Sequence, residues 1–204
     1  MKKLLLSRQE LATHEAGHLV AIVAVREFKP ANFIWHRLPA YEIAHVEPIA
    51  EREFDWEDPA DRNKFIVKRA VIALAGGVAA DLCAPLKRQE NYSLRNLYDL
   101  IGSIDFELAH EWLTLQRYDP DQRSIEQEIG RLFLELRDFM ALPVQQTALN
   151  MIAGRLLDYL QHADAAGADF VELPTQQLLG DIVIEQAREF TLKTTLLRNS
   201  RAAH

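Results

Sequence analysis

At 204 residues with 49% apolar content, the chain fits a single domain that can bury a substantial core. Its formal net charge of −7 excludes a general nucleic-acid binder, which needs a basic face for phosphate contacts. Cys83 is the lone cysteine, which excludes an intrachain disulfide and a Cys-rich zinc ribbon and leaves His, Asp or Glu to build any metal site.

In chain order, the apolar run Leu4 to Leu6 is far short of the roughly 7–15 residues of a signal-peptide core. No stretch approaches the roughly 18 apolar residues of a membrane span, so the expectation is a soluble, cytoplasmic chain. Ser7-Arg8-Gln9-Glu10 is a capping-box pattern that starts a helix. Apolar and small residues continue it from Leu11 to Val25, before Pro30. Residues 31–52, broken at Leu38-Pro39-Ala40, predict a short β-hairpin of imperfect alternation. Asp58-Pro59 opens a second helix, running through Phe65, Val71, Leu74, Ala75 and Val78 towards Pro85.

Gly76-Gly77 lies inside that helix, where each glycine costs about 1 kcal/mol against alanine. Close helix–helix approach, with Ala16-Gly17 as the facing surface, offsets such a cost; a kink is the alternative. Further helices are predicted over 93–118, with a break at Gly102-Ser103, and over 121–141, 143–162 and 175–189. Residues 163–174 read as a loop. The fold class is therefore mainly α, one compact helical domain over 1–189 with a small hairpin, followed by a tail or helix end over 190–204.

The chemistry lies in His14-Glu15-Ala16-Gly17-His18, an H-E-x-x-H string in the first half of the first helix. Residues four apart on a helix share a face, so both imidazoles can reach one ion. Zinc accepts neutral imidazole nitrogens, and a catalytic site holds it with three protein ligands and a water. Glu15 can take a proton from that water as general base and pass it to a leaving amine. The third ligand is open on spacing alone. Position 24 is alanine, so a metzincin histidine is absent, and the candidates are Asp81, Asp99, Asp105, Glu107, His110 and Glu111. His110 is also a candidate to support a ligand from behind. His36 and His45 read as strand-face residues, Trp35, Trp56 and Trp112 as packing residues, and Cys83 as a buried small hydrophobe.

Three stretches resemble the peptidase domain of the FtsH-type ATP-dependent zinc metalloproteases. Thr13-His14-Glu15-Ala16-Gly17-His18-Leu19-Val20-Ala21 is similar to the family's H-E-A-G-H helix. Ile72-Ala73-Leu74-Ala75-Gly76-Gly77-Val78-Ala79-Ala80-Asp81 is similar to its G-G-R-A-A-E helix, with Val78 and Asp81 in place of Arg and Glu. Gly102-Ser103-Ile104-Asp105-Phe106-Glu107-Leu108-Ala109 resembles the turn and helix that carry the family's aspartate ligand, although Thr-Thr-Gly is missing. Ala153-Gly154-Arg155-Leu156-Leu157 and Leu173-Pro174-Thr175-Gln176-Gln177-Leu178-Leu179 look like its closing helices.

The resemblance implies a zincin-type peptidase fold with His14, His18 and Asp105 as ligands of one zinc ion per chain and Glu15 as catalytic base. No Walker A string or membrane span accompanies it, so the expectation is a free-standing, ATP-independent metalloendopeptidase acting on peptides or unfolded protein. Further partners would be a second copy of the chain or a separate chain. The alternative is a metal-binding regulatory or interaction module that keeps the fold with little turnover.

Overall fold

The computed structural model describes residues 7–39, 41–83, 103–115 and 122–187. Over these the protein is mostly helical, with one small antiparallel sheet. Helix α1 (Arg8–Ala24) starts on the predicted box: Ser7 N donates to Glu10 Oε2 at 2.7 Å, and Glu10 N donates back to Ser7 Oγ at 3.3 Å. Little of α1 meets solvent, because its sequence is apolar almost all round; α2 (Pro59–Cys83), α5 (Pro143–Ala165) and the hairpin surround it. Ala60 N donates to Asp58 Oδ1 at 3.0 Å, confirming the predicted start of α2. α3 (Ser103–Thr114) and α4 (Gln122–Met140) pack on α2, and α4 buries Ile125, Ile129, Leu132, Phe133, Leu136 and Met140 from one face. Among the described residues no helix is long and apolar enough to cross a membrane.

The hairpin is β1 (Phe28–Leu38) and β2 (Tyr41–Ala50), paired antiparallel. A bulge between Pro30 and Phe33 explains the imperfect alternation. Phe28 and Phe33 are five apart, of opposite parity in a regular strand, and the extra residue returns both to the core side.

Two predictions fail. Part of the expected 163–174 loop is a strand, β3 (Phe170–Leu173), which pairs with β1 and gives the order β2-β1-β3. Val171 and Leu173 face inward while Phe170 and Glu172 do not, a period too short to stand out in sequence. The helix expected over 175–189 is only α6 (Thr175–Leu179), ended by Gly180 at φ 51°. A side chain at Gly180 would meet the Arg155 guanidinium at 2.7 Å. Beyond it, Ile182 and Ile184 pack on the core and Val183 is exposed, the alternation of an extended segment. This segment closes the C-terminal end of α1: Ala187 N donates to Ala24 O at 3.0 Å, and Gln186 Nε2 to Val23 O at 3.3 Å. The tail over 190–204, and residues 93–102 of the predicted third long helix, lie outside the described residues.

Candidate metal centre

His14 and His18 project from one face of α1, one turn apart. Their orientation depends on how closely α2 approaches. At Gly17 an added Cβ would lie 2.4 Å from the Ala75 carbonyl oxygen and 2.6 Å from the Ala79 methyl. At Gly76 it would lie 2.4 Å from His14 Nε2, inside the imidazole ring's own space. α2 is helical through Gly76 and Gly77, and at Gly76 the close approach of the His14 ring is what requires the missing side chain. The facing differs in detail from the expectation: Gly17 meets α2 at Ala75 and Ala79, whereas Gly76 makes room for the His14 ring.

Asp105, in the first turn of α3, completes the cluster. Its Oδ2 lies 2.8 Å from His14 Nε2 and 3.4 Å from His18 Nε2, and the two nitrogens are 3.1 Å apart. Ligand atoms about 2.0–2.1 Å from a tetrahedral zinc lie roughly 3.3 Å from one another, so the triangle has the size one ion requires. The three side chains can hold a metal ion. His18 Nδ1 is 2.8 Å from the Ile72 carbonyl and donates to it, which places the Nε2 lone pair towards the cluster.

Without a metal, the charges of the cluster hold one another. Burial opposes a charged His18, but the charge and hydrogen bond of Asp105, with Glu15 and the Ile72 carbonyl, outweigh it and push its pKa up to about 9. Burial likewise favours a neutral Asp105, and the two imidazoles overcome this and hold it well below the usual carboxylate range. Glu15 is 3% exposed, and Oε2 has no hydrogen-bond partner among the described residues. Burial raises its pKa against the opposing pull of His18 and His14; Asp105 raises it further and His45 of β2 lowers it. Neither Asp105 nor Glu15 has a Lys or Arg at ion-pair distance among the described residues.

Of the other candidates for third ligand, none among the described residues joins the cluster. Asp81 is buried against Arg137 of α4, with Nε 3.0 Å from Oδ2. His110 lies 3.5 Å from the Thr114 hydroxyl, outside the cluster, and Glu107 and Glu111 point outward. Asp99 is outside the described residues. Two packing expectations need correction. Cys83, the last residue of α2, is exposed, and Trp56 is 47% exposed in the loop before α2, touching Phe65 by its edge. His36 and His45 are surface strand residues as expected, but the electrostatic reach of His45 to Glu15 has no local sequence signal.

No protein-family model and no curated protein matches the chain.

Proposed function

We propose that the protein is a zinc-dependent metallopeptidase, with His14, His18 and Asp105 as metal ligands and Glu15 as general base. The observation that carries this assignment is the Glu15 carboxylate: buried, adjacent in sequence to one ligand, and with Oε2 lacking a partner among the described residues. Burying an unpaired carboxyl is costly, and a purely structural metal site has no use for it. Hydrolysis by activated water does. Two imidazole donors with one carboxylate favour zinc over the harder, all-oxygen cations. Bound there, zinc would supply the Lewis acidity that acidifies water and polarises a peptide carbonyl.

The chain's own groups account for the remainder. Glu15 takes a proton from water at its carboxylate and returns it to the departing amine; burial raises its pKa above the ordinary carboxylate value, which strengthens it as a base. The Ile72 carbonyl fixes the His18 tautomer, and Gly76 leaves room for the His14 ring. The resemblance of the three sequence stretches to FtsH-type peptidase domains supports the same ligands and base.

Protein purified without chelator is expected to carry about one zinc per chain, the stoichiometry of a three-ligand catalytic site. Glu15→Gln should keep that metal and lose hydrolysis of unfolded casein by about 10²–10⁴-fold, the usual contribution of a general base. Absence of divalent metal would overturn the metal assignment, and equal cleavage by both forms would overturn the role of Glu15. Metal without turnover in the wild type would leave a binding module.

A further inference from the structure

Helices α2 and α3 meet along a seam that extends beyond the metal cluster. At one end the His14 ring lies over Gly76 and contacts Asp105. Arg69 is seven residues before Gly76 on α2, and Trp112 is seven residues after Asp105 on α3. Seven residues are close to two turns, so each pair shares a helix face and lies about 10 Å apart along it. The two distal residues also meet: the Arg69 guanidinium carbon is 5.0 Å from the Trp112 ring centroid. The helices therefore run antiparallel, with the ligand cluster at one end of the seam and a cation at the other.

Strand β2 follows the same course. His45 is close enough to Glu15 to act on its charge, while Glu47 acts on Arg69. One position further on, the Pro48 carbonyl accepts a hydrogen bond from Arg69 Nη1 at 3.0 Å.

Arg69 shares with Arg26 and Arg62 the lack of a carboxylate at ion-pair distance among the described residues, and differs from both in lying over the Trp112 ring with burial weighing against its charge. Arg8, Arg52, Arg131 and Arg155 each reach a carboxylate within 3.1 Å. Arg69 is half-buried, and among the described residues its hydrogen-bond partner is one neutral carbonyl, with Glu47 beyond ion-pair distance. A guanidinium has five N–H donors in a fork that matches a carboxylate. Burial already works against its charge, with only the distant Glu47 opposing. An arriving anion would complete it.

We propose that Arg69, stacked on Trp112, binds a carboxylate of the substrate, an inference that rests on the peptidase assignment. An extended peptide rises about 3.3 Å per residue, so the carboxylate belongs about three residues from the scissile bond. It can be the chain-terminal carboxylate or an Asp or Glu side chain; both offer the same two oxygens.

The test uses zinc-loaded full-length protein and one cleavable peptide in matched forms, with Glu or Gln scanned through each position and a free-acid or amidated C-terminus. Wild type is expected to prefer a carboxylate at one position by about tenfold or more in kcat/KM, the scale of a hydrogen bond to a charged group. Arg69→Met should bring the acid-to-neutral ratio close to one, and Arg69→Lys, which keeps the charge, should retain part of it. A preference confined to free-acid peptides identifies the chain terminus, and one set by internal Glu identifies a side chain; either supports the inference. Affinity of Glu15→Gln for the same peptides, read without turnover, should show the same ratio. Cleavage with no carboxylate preference, or a preference unchanged in both Arg69 variants, overturns the role of Arg69 and leaves the peptidase intact. No cleavage of any peptide removes the peptidase assignment and this inference together.

Discussion

Helix α1 carries two clusters of charged and polar side chains, and they are built on opposite terms. At its first residue, Arg8 donates to Glu42 at 2.6 Å and pairs with Asp164, while Arg37 pairs with Asp164 and approaches Glu42 at 3.8 Å. Trp35 Nε1 adds a bond to Glu42 at 3.3 Å. Two guanidinium groups face two carboxylates, all partly exposed, and the charges balance within the chain. About two to three turns further along, His14 and His18 face Asp105 and Glu15 with no permanent cation beside them. In metal-free protein a charged His18 offsets Asp105; once both imidazoles are neutral, as metal ligation requires, the cluster carries up to two negative charges in a buried place, which a dication would cancel. The first cluster joins α1 to the hairpin and α5. The second has the charge and geometry of a place kept for something else.

The contrast can be broken experimentally. The largest effect is expected from Asp105→Ala, which removes the proposed third ligand: zinc affinity, measured by chelator competition, should fall by more than about 100-fold, beyond the loss seen when only a supporting residue is removed. Undiminished affinity would place the third ligand elsewhere.

Next is Gly76→Val, whose Cβ would occupy the space of the His14 ring. Overpacking of this kind costs about 1–3 kcal/mol, and zinc retention should fall with it. A stable variant with full zinc content would show that His14 can bind from another position.

A smaller effect concerns pH. In metal-stripped protein His18 is raised from 6.5 to about 9, so its stabilising contribution is complete below pH 6.5 and disappears as the pH rises through about 9. The melting temperature of chelated protein should therefore drop by a few degrees between pH 7 and 9. Zinc-loaded protein should change less, because a ligated imidazole is already deprotonated. Parallel pH curves for the two forms would show that His18 is not the group responsible.

The smallest effect should come from the balanced cluster. Asp164→Asn should cost no more than about 1 kcal/mol in denaturant unfolding and leave zinc content unchanged, as expected of partly exposed ion pairs. A loss of zinc in this variant would mean that the two clusters are coupled through α1.

Much of this is legible in the sequence. Ser7 with Glu10 and Asp58 with Pro59 start helices through bonds only a few residues long, so local sequence determines them. His14 and His18 share a face because helical periodicity puts them there. The helix expected over 175–189 failed because the inward residues Ile182 and Ile184 fit either period over so short a run, and packing against the end of α1 selected the extended form. Cys83 ends α2 exposed although its neighbours are apolar, because local composition does not say which residues at a helix end are covered.

By itself the sequence determined the helix that carries His14, Glu15 and His18, and the need for small residues at positions 17 and 76. Asp105 was open among six candidates on spacing alone, and only its resemblance to a known motif singled it out. Tertiary structure decided that Asp105 meets both imidazoles while Asp81 turns to Arg137, that Gly76 faces the His14 ring, and that Arg69 lies over Trp112 along the seam leading from the cluster. Helix periodicity acts over a turn or two and can be read residue by residue. Contacts between residues 14 and 105, or 69 and 112, depend on how whole helices cross, which the packing of their faces settles.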